Sequence, residues 1–351
     1  MSDVITTLLP KNINELKAYS SAKSMKLSGS TWLNANESPY AKTFDVSLDN
    51  LNRYPDPQPQ AVIDAYADYA GISEENVLMT RGADEGIELL VRTFCEPGKD
   101  SISIFAPTYG MYKVTADTHN VALNVLSQEQ LINDDKTTIS EACAQSKLVF
   151  ICNPNNPTGA ILPVEKIAEI ADELSGKAIV VVDEAYIEFC EAYSSVSLLQ
   201  DFNNVVVLRT LSKAFALAGL RTGFMLSNSE LLNIVRKVIA PYPVSTVVAA
   251  IAAQALSKDA ITQVKRQVQI LNAAKAELSL ALKNNKQVIT VLDSYANFVT
   301  IRLKDKAATD VAMQSGLIIR PFVLFDQDDW IRISIGTEQE LQQVTDWLNG
   351  L

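Results

Sequence analysis

A lysine stands in the middle of RTLSKAFALAGLRTGF (Arg209–Phe224), among Leu, Ala, Phe and Gly and just after the apolar run VVVL. Lysine is rarely buried without a partner. Apolar surroundings strip solvation from its charged form, so the amine of Lys213 is expected to deprotonate easily and to attack a carbonyl as a Schiff-base nucleophile. A second candidate, Asp183, closes the strand-like run IVVVD of IVVVDEA. An ionised carboxylate at the end of a buried strand is costly unless nearby backbone amides or a cationic ligand compensate it.

Other chemistries have little to work with. The chain has one histidine, His119 in DTHN, which reads as a surface turn beside a strand. Catalytic triads, Cys-His pairs and His-rich metal sites all need a positioned imidazole. The four cysteines lie far apart with no CxxC pairing, and read as reduced, mostly buried thiols of a cytoplasmic protein. If the chain is an enzyme, a cofactor is expected to carry the hard chemistry.

That cofactor is not read as a nucleotide. IVVVDEA resembles a Walker B strand, but the two Gly-Lys pairs continue as GKD and GKA, so GxxxxGK[ST] is missing, and so is GxGxxG. A net charge of −11 argues against a nucleic-acid partner. No apolar run approaches membrane-spanning length, and MSDVITTLLPKNINELKAY has neither the basic nor the apolar region of a signal peptide.

The elements that must position these residues follow from periodicity. With 351 residues, 48 % of them hydrophobic, the chain is long enough for two domains. AVIDAYADYAG predicts a helix ended by Gly71, and GADEGIELLVRTF places Ile87, Leu90, Val91 and Phe94 on one helical face. SISIFA, KLVFIC, AIVVVDEAY, NVVVLRT and GFMLS read as short apolar strands, with helices such as PVEKIAEIADELSG between them. That alternation predicts an α/β fold whose parallel sheet is covered on both faces. After Pro241 a long amphipathic helix, TQVKRQVQILNAAKAELSLALK, leads to strands QVITVL, NFVTIRL and WIRISI and a last helix. The expected organisation is a polar, irregular arm over 1–30, a large domain over 31–245 and a smaller C-terminal α+β domain over 246–351.

Lys213, Asp183, NPNNPTG (Asn153–Gly159), APTYG (Ala106–Gly110), RGADEG and Arg221 each follow a strand or open a helix, so all can converge on one sheet edge. A ligand with a phosphate, a ring cation, a phenolate oxygen and an aldehyde would use them all, and pyridoxal phosphate is such a ligand. The chain resembles the fold-type I pyridoxal-phosphate aminotransferases, and most closely the histidinol-phosphate aminotransferase family within them. The resemblance runs over nearly the whole length through WLNANESPY, LNRYPDPQP, TRGADEGIELL, PTYGMY, NPNNPTG, VVDEAYIEF, RTLSKAFALAGLRTGF and IRISIGT.

The resemblance implies roles. Lys213 would hold the cofactor covalently and shuttle a proton, while Asp183 would keep its ring nitrogen protonated. Asn156 and Tyr186 would bond the ring oxygen, and Tyr109 would stack on the ring. The phosphate would sit on the amides of Ala83 and Asp84 with Ser212 and Arg221, the side chain of Asp84 being turned away towards the helix dipole. Tyr54 would reach the neighbouring subunit's phosphate, which implies a homodimer. Arg332 would clamp a substrate α-carboxylate and, since histidinol phosphate has a phosphate instead, serve both half-reactions, with Tyr19 and Arg320 on a substrate phosphate. At Tyr19 the match is weaker, because Ala18 stands where proline is usual. Taken singly, Tyr109 and Tyr186 serve equally as core aromatics, Asn156 as a turn residue, Arg221 as an interface arginine and Arg320 in a surface ion pair. The implied substrates are histidinol phosphate and glutamate/2-oxoglutarate in histidine biosynthesis. The alternatives are a threonine-phosphate decarboxylase of the same fold and a regulatory module that binds the cofactor without turnover.

Overall fold

The computed structural model describes residues 3–16 and 28–351. In chain order its strands are β1 (Thr31–Trp32), β2 (Val77–Thr80), β3 (Ser101–Ala106), β4 (Ala122–Ser127), β5 (Leu148–Cys152), β6 (Ile179–Asp183), β7 (Val205–Thr210), β8 (Gly223–Leu226), β9 (Val288–Leu292), β10 (Phe298–Leu303), β11 (Leu317–Ile318), β12 (Arg320–Leu324) and β13 (Gln327–Ser334). A seven-stranded sheet takes the order β2-β8-β7-β6-β5-β3-β4. Every residue of β5, β7 and β8 is buried, as a sheet covered on both faces requires. Ile87, Leu90 and Val91 of helix Ala83–Phe94 cover one face, and Ile167, Ile170 and Ala171 of helix Val164–Glu173 the other.

The expectation of a parallel sheet holds for five of the strands and is corrected for one it named. β8, the GFML run, is antiparallel to both β7 and β2. A parallel return needs a crossover, usually a helix. The segment from β7 to β8 instead carries Lys213 and a single short 3-10 turn, Ala218–Leu220.

The C-terminal sheet has the order β12-β13-β10-β9, antiparallel throughout, packed with the 26-residue helix Lys258–Lys283. β12 was not evident in the sequence because Pro321 interrupts it. Proline is tolerated at a sheet edge, where β12 lies. Within the described part of the arm, Asp3–Leu8 and Lys11–Glu15 are short helices rather than irregular chain, and Asn12 donates to the carbonyls of Asp117 and Thr118 at 3.0 and 3.1 Å. Beyond it, β1 pairs in parallel with β11, and the Ser334 amide donates to the Leu33 carbonyl at 2.9 Å. The stretch after β1 is thereby threaded between the two sheets.

One close approach sets the geometry of the site. A Cβ on Gly223 would lie 2.5 Å from the carbonyl carbon of Gly82 and 2.7 Å from the nitrogen of Ala83. Both neighbours are backbone, so a side chain there forces β8 away from the start of helix Ala83–Phe94. Gly223→Ala is expected to lower the unfolding free energy by about 1–3 kcal/mol, the usual cost of overpacking. Urea denaturation with an unchanged midpoint would contradict this contact.

Candidate active site

A cavity of about 680 Å³ opens at the carboxyl ends of the central strands, bounded by the start of helix Ala83–Phe94, the segment after β1 and the β12–β13 hairpin. Open α/β sheets bind ligands at this edge. Every residue singled out from the sequence as a site residue lines it, except Tyr54 and Tyr19. Tyr54 is 81 % exposed and stacks on Tyr242 at 4.4 Å, outside the cavity of its own chain. Tyr19 lies outside the described residues.

The amine of Lys213 donates to the Ala35 carbonyl at 3.0 Å and lies 5.7 Å from the centre of the Tyr186 ring. Burial pulls its pKa down to about 8; Arg332 and Arg221 act in the same direction, opposed by Glu37 and Asp84. Asp183, the last residue of β6, is 2 % exposed. The Tyr112 hydroxyl donates to its Oδ2 at 2.7 Å and the Ala185 amide to its Oδ1 at 3.1 Å. Burial pushes the carboxyl up to about 6 despite these two donors, and the nearby Asp84 and Glu184 add to the rise. A carboxylate has about four acceptor positions, so two anchors leave capacity for a cation in the cavity.

Beside these groups is an anion cradle. Helix Ala83–Phe94 begins after Gly82, whose φ of +84° turns the chain so that the first amides of the helix border the cavity. Arg221, itself at φ +54°, points a nitrogen to 3.4 Å from Ser212 Oγ. A Cβ on Gly82 would meet Arg221 Nη2 at 2.9 Å, so glycine is what lets the guanidinium approach. Here one expectation is corrected. The Asp84 side chain is not turned away: it accepts from Arg221 at 3.1 Å and from the Tyr109 hydroxyl at 2.9 Å. A guanidinium at a helix N-terminus attracts the nearest carboxylate, and Asp84 is in reach.

On the side of the C-terminal sheet, Arg332 lies directly opposite Arg320 across β12–β13. Like charges facing one another across a strand pair are unfavourable unless an anion is to be shared. Arg332 donates to Asn156 Oδ1, donates to the Asn34 carbonyl at 3.0 Å, and lies 5.4 Å over the Phe298 ring. Tyr186 is buried edge-on against Phe298, and its hydroxyl accepts from Asn36 at 3.0 Å. NPNNPTG does turn work as well: Asn153 exchanges two bonds with Leu162, and Asn155 ties this loop to Pro107 and Thr108. His119 closes helix Met111–Thr118 beside Glu88, away from the cavity, and burial lowers its pKa.

Sequence reasoning missed Tyr112, Ala35 and Asn36 as site residues. All three lie in motifs it quoted, PTYGMY and WLNANESPY. The available signal for Tyr112 was its place in the same motif, three residues after Tyr109; in the structure Tyr109 precedes helix Met111–Thr118 and the two rings meet edge-on at 5.7 Å.

The cavity fits pyridoxal phosphate: a desolvated amine, a buried carboxylate, and a cradle in which Gly82 leaves room for Arg221. The model of the aminotransferase class I and II family matches residues 28–348, and the chain belongs to that family. Within it, the chain is similar to the histidinol-phosphate aminotransferase of Escherichia coli O45:K1, 46 % identical over 98 % of this chain and 97 % of that one. A histidinol-phosphate aminotransferase from Sinorhizobium meliloti, solved in complex with pyridoxal-5'-phosphate, superposes with a TM-score of 0.86 over 98 % of both chains at 22 % identity. The fold extends to L-threonine-O-3-phosphate decarboxylase from Porphyromonas gingivalis, with a TM-score of 0.73 over 85 % of this chain and 92 % of that one at 19 % identity.

A carboxyl whose folded pKa is about 6, against 3.8 in its ordinary state, costs stability when it ionises. That part of the stability is present below about pH 4 and is lost as pH rises through about 6. Asp183→Asn removes the charge, keeps an oxygen for the Ala185 amide and lets the Tyr112 hydroxyl turn to accept from the new amide nitrogen. In cofactor-free protein it is expected to be neutral near pH 4 and stabilising by up to about 3 kcal/mol at pH 8. Urea titrations at the two pH values check this; a gain at pH 4 that does not grow by pH 8 would contradict it.

Proposed function

We propose that this protein transfers an amino group reversibly between L-histidinol phosphate and 2-oxoglutarate, giving imidazole-acetol phosphate and L-glutamate, with pyridoxal 5'-phosphate as cofactor. The observation that carries the reading is one cavity that joins a desolvated lysine, a buried aspartate and two facing arginines. Its setting is histidine biosynthesis, in keeping with the 46 % identity to a histidinol-phosphate aminotransferase.

Pyridoxal phosphate supplies an aldehyde that condenses with amines and a ring that draws electrons from the bond to be broken. The protein's own groups prepare the rest. Lys213, with its pKa near 8, has a neutral fraction at neutral pH that would hold the cofactor through its aldehyde and could take and return a proton. Asp183, held by Tyr112 and the Ala185 amide, would keep the ring nitrogen protonated, an effect worth about 1–3 pKa units for a close opposite charge. The phenol of Tyr186, oriented by Asn36, and the amide of Asn156, held by Arg332, would bond the ring oxygen, and Tyr109 would pack on the ring. The amides of Ala83 and Asp84, the Ser212 hydroxyl and Arg221 would hold the phosphate; Arg221 is already placed there by Ser212 and the Asp84 carboxylate.

Substrate anions fall to the arginine pair. Each amino donor offers one oxyanion to it, the α-carboxylate in glutamate and the phosphate in histidinol phosphate. The planar fork of Arg332 suits either one. Arg320 and Tyr19 serve the distal phosphate. The exposed Tyr54–Tyr242 stack is read as part of a homodimer interface, with Tyr54 completing the neighbouring phosphate site. Free cysteines throughout suit a cytoplasmic setting.

The direct test is to load purified protein with pyridoxal phosphate and supply histidinol phosphate with 2-oxoglutarate. Glutamate and imidazole-acetol phosphate should form in equal amounts; carbon dioxide released from threonine phosphate would identify a decarboxylase instead. Lys213→Ala should lower turnover by at least about 10²–10⁴-fold, the usual contribution of a positioned acid–base group.

Arg332→Ala is expected to lower kcat/KM by at least about tenfold in both half-reactions, since each hydrogen bond to a charged group contributes about 1.5–3 kcal/mol. Arg320→Ala should harm chiefly the histidinol-phosphate half. Following the two cofactor forms separately checks the division. Equal loss on glutamate from Arg320→Ala would overturn it.

A further inference from the structure

We propose that Glu184 and Arg209 form a positioning pair, a buried ion pair on the far face of the large sheet that fixes the spacing of the two segments bearing Asp183 and Lys213. The proposal rests on the reading of the cavity given above, in which those two groups act on one cofactor.

Alternation along a strand sends consecutive side chains to opposite faces. Asp183 faces the cavity, and Glu184, one residue on, faces the other way. Arg209, next to last in β7, does the same beside it. Its Nε donates to Glu184 Oε2 at 2.7 Å, its Nη2 donates to Ser194 Oγ at 2.8 Å, and the Ser195 amide donates to the other Glu184 oxygen. Glu184 is 0 % and Arg209 5 % exposed, and this is the one ion pair with both partners buried among the described residues. Glu188 and the phenols of Tyr66 and Tyr69 also face the guanidinium.

Stability alone does not explain such a pair. Two desolvated ions are often no better than a well-packed apolar pair of similar volume. What leucine and methionine lack is direction: the bonds fix the end of β6, the end of β7 and the Ser194–Ser195 turn relative to one another. Ala185 and Tyr186 follow Glu184 directly, and Thr210, Ser212 and Lys213 follow Arg209 within four residues. All five line the cavity. Arg320 and Arg332 belong to the other sheet.

The test is the double variant Glu184→Leu, Arg209→Met, compared with wild type in three measurements. Its melting temperature should equal or exceed that of wild type. Its affinity for pyridoxine 5'-phosphate, an analogue without the aldehyde, should fall about tenfold in cofactor-free protein, because Asp183, Tyr186 and Ser212 lose register. Its kcat should fall about ten- to hundredfold, the scale of a small misplacement of reacting groups, with KM for both substrates within about twofold. A folded double variant with unchanged affinity and kcat would overturn the proposal. Should that variant not fold, Arg209→Lys keeps the charge but not the planar fork. It should show the same split, a lower kcat at constant KM, and its absence would equally refute the pair's role. A wild-type protein that binds neither pyridoxal phosphate nor the analogue would overturn the reading of the cavity, and the pair's role with it.

Discussion

Holding one carboxylate ionised inside a protein is expensive, and much of the site can be understood as the means of doing so at Asp183. The strands on either side and helix Met111–Thr118 leave it only 2 % exposed, at the floor of the cavity. Tyr112 supplies the replacement hydrogen bond, and its own ring is fixed by stacking on Phe150 at 4.9 Å. The second anchor is the Ala185 amide, available because the chain leaves the sheet two residues later rather than continuing the ladder. Even so, burial outweighs both donors and leaves the carboxyl near 6. A group kept so far from its ordinary state is poised to gain from a cation, which is what a protonated ring nitrogen offers.

The same economy explains why the site needs both sheets. The NPNNPTG loop is a joint between them: the Tyr295 amide donates to the Gly159 carbonyl at 2.8 Å, and Thr300 bonds the Pro157 carbonyl. Gly159, at φ +79°, lies so close to Ser294 that a Cβ would come within 2.4 Å of its hydroxyl. Through this joint Arg332 meets Asn156, so the arginines of the smaller sheet are in register with the lysine and aspartate of the larger one. The stretch after β1 seals the arrangement, with Asn36 holding Tyr186 and being held in turn by Asn297 and Ser334.

Charge is distributed to match. A chain of net charge −11 nevertheless gathers Lys213, Arg221, Arg320 and Arg332 around one cavity. Low-dielectric walls focus such a field, which favours entry of doubly charged anions over the acidic background of the surface.

Much of this was legible in the residues themselves. Helices Gln60–Ala70 and Ala83–Phe94 and the apolar strands could be read from periodicity, and a lysine placed among small apolar residues announced its chemistry, because these signals depend on neighbours within a few positions. The named motifs identified nearly the whole wall of the cavity. Only the tertiary structure decided who touches whom: that Tyr112 serves Asp183 across 71 residues, that Asn36 serves Tyr186 across 150, that Asp84 turns to Arg221, and that Arg209 answers Glu184 behind the sheet. It also decided the reversed direction of β8 and the register that sets Arg320 opposite Arg332. The physical reason is range. Local pattern specifies an element and the face it buries, whereas a hydrogen bond or ion pair is specified by distance and angle between side chains that come together only when the sheets pack.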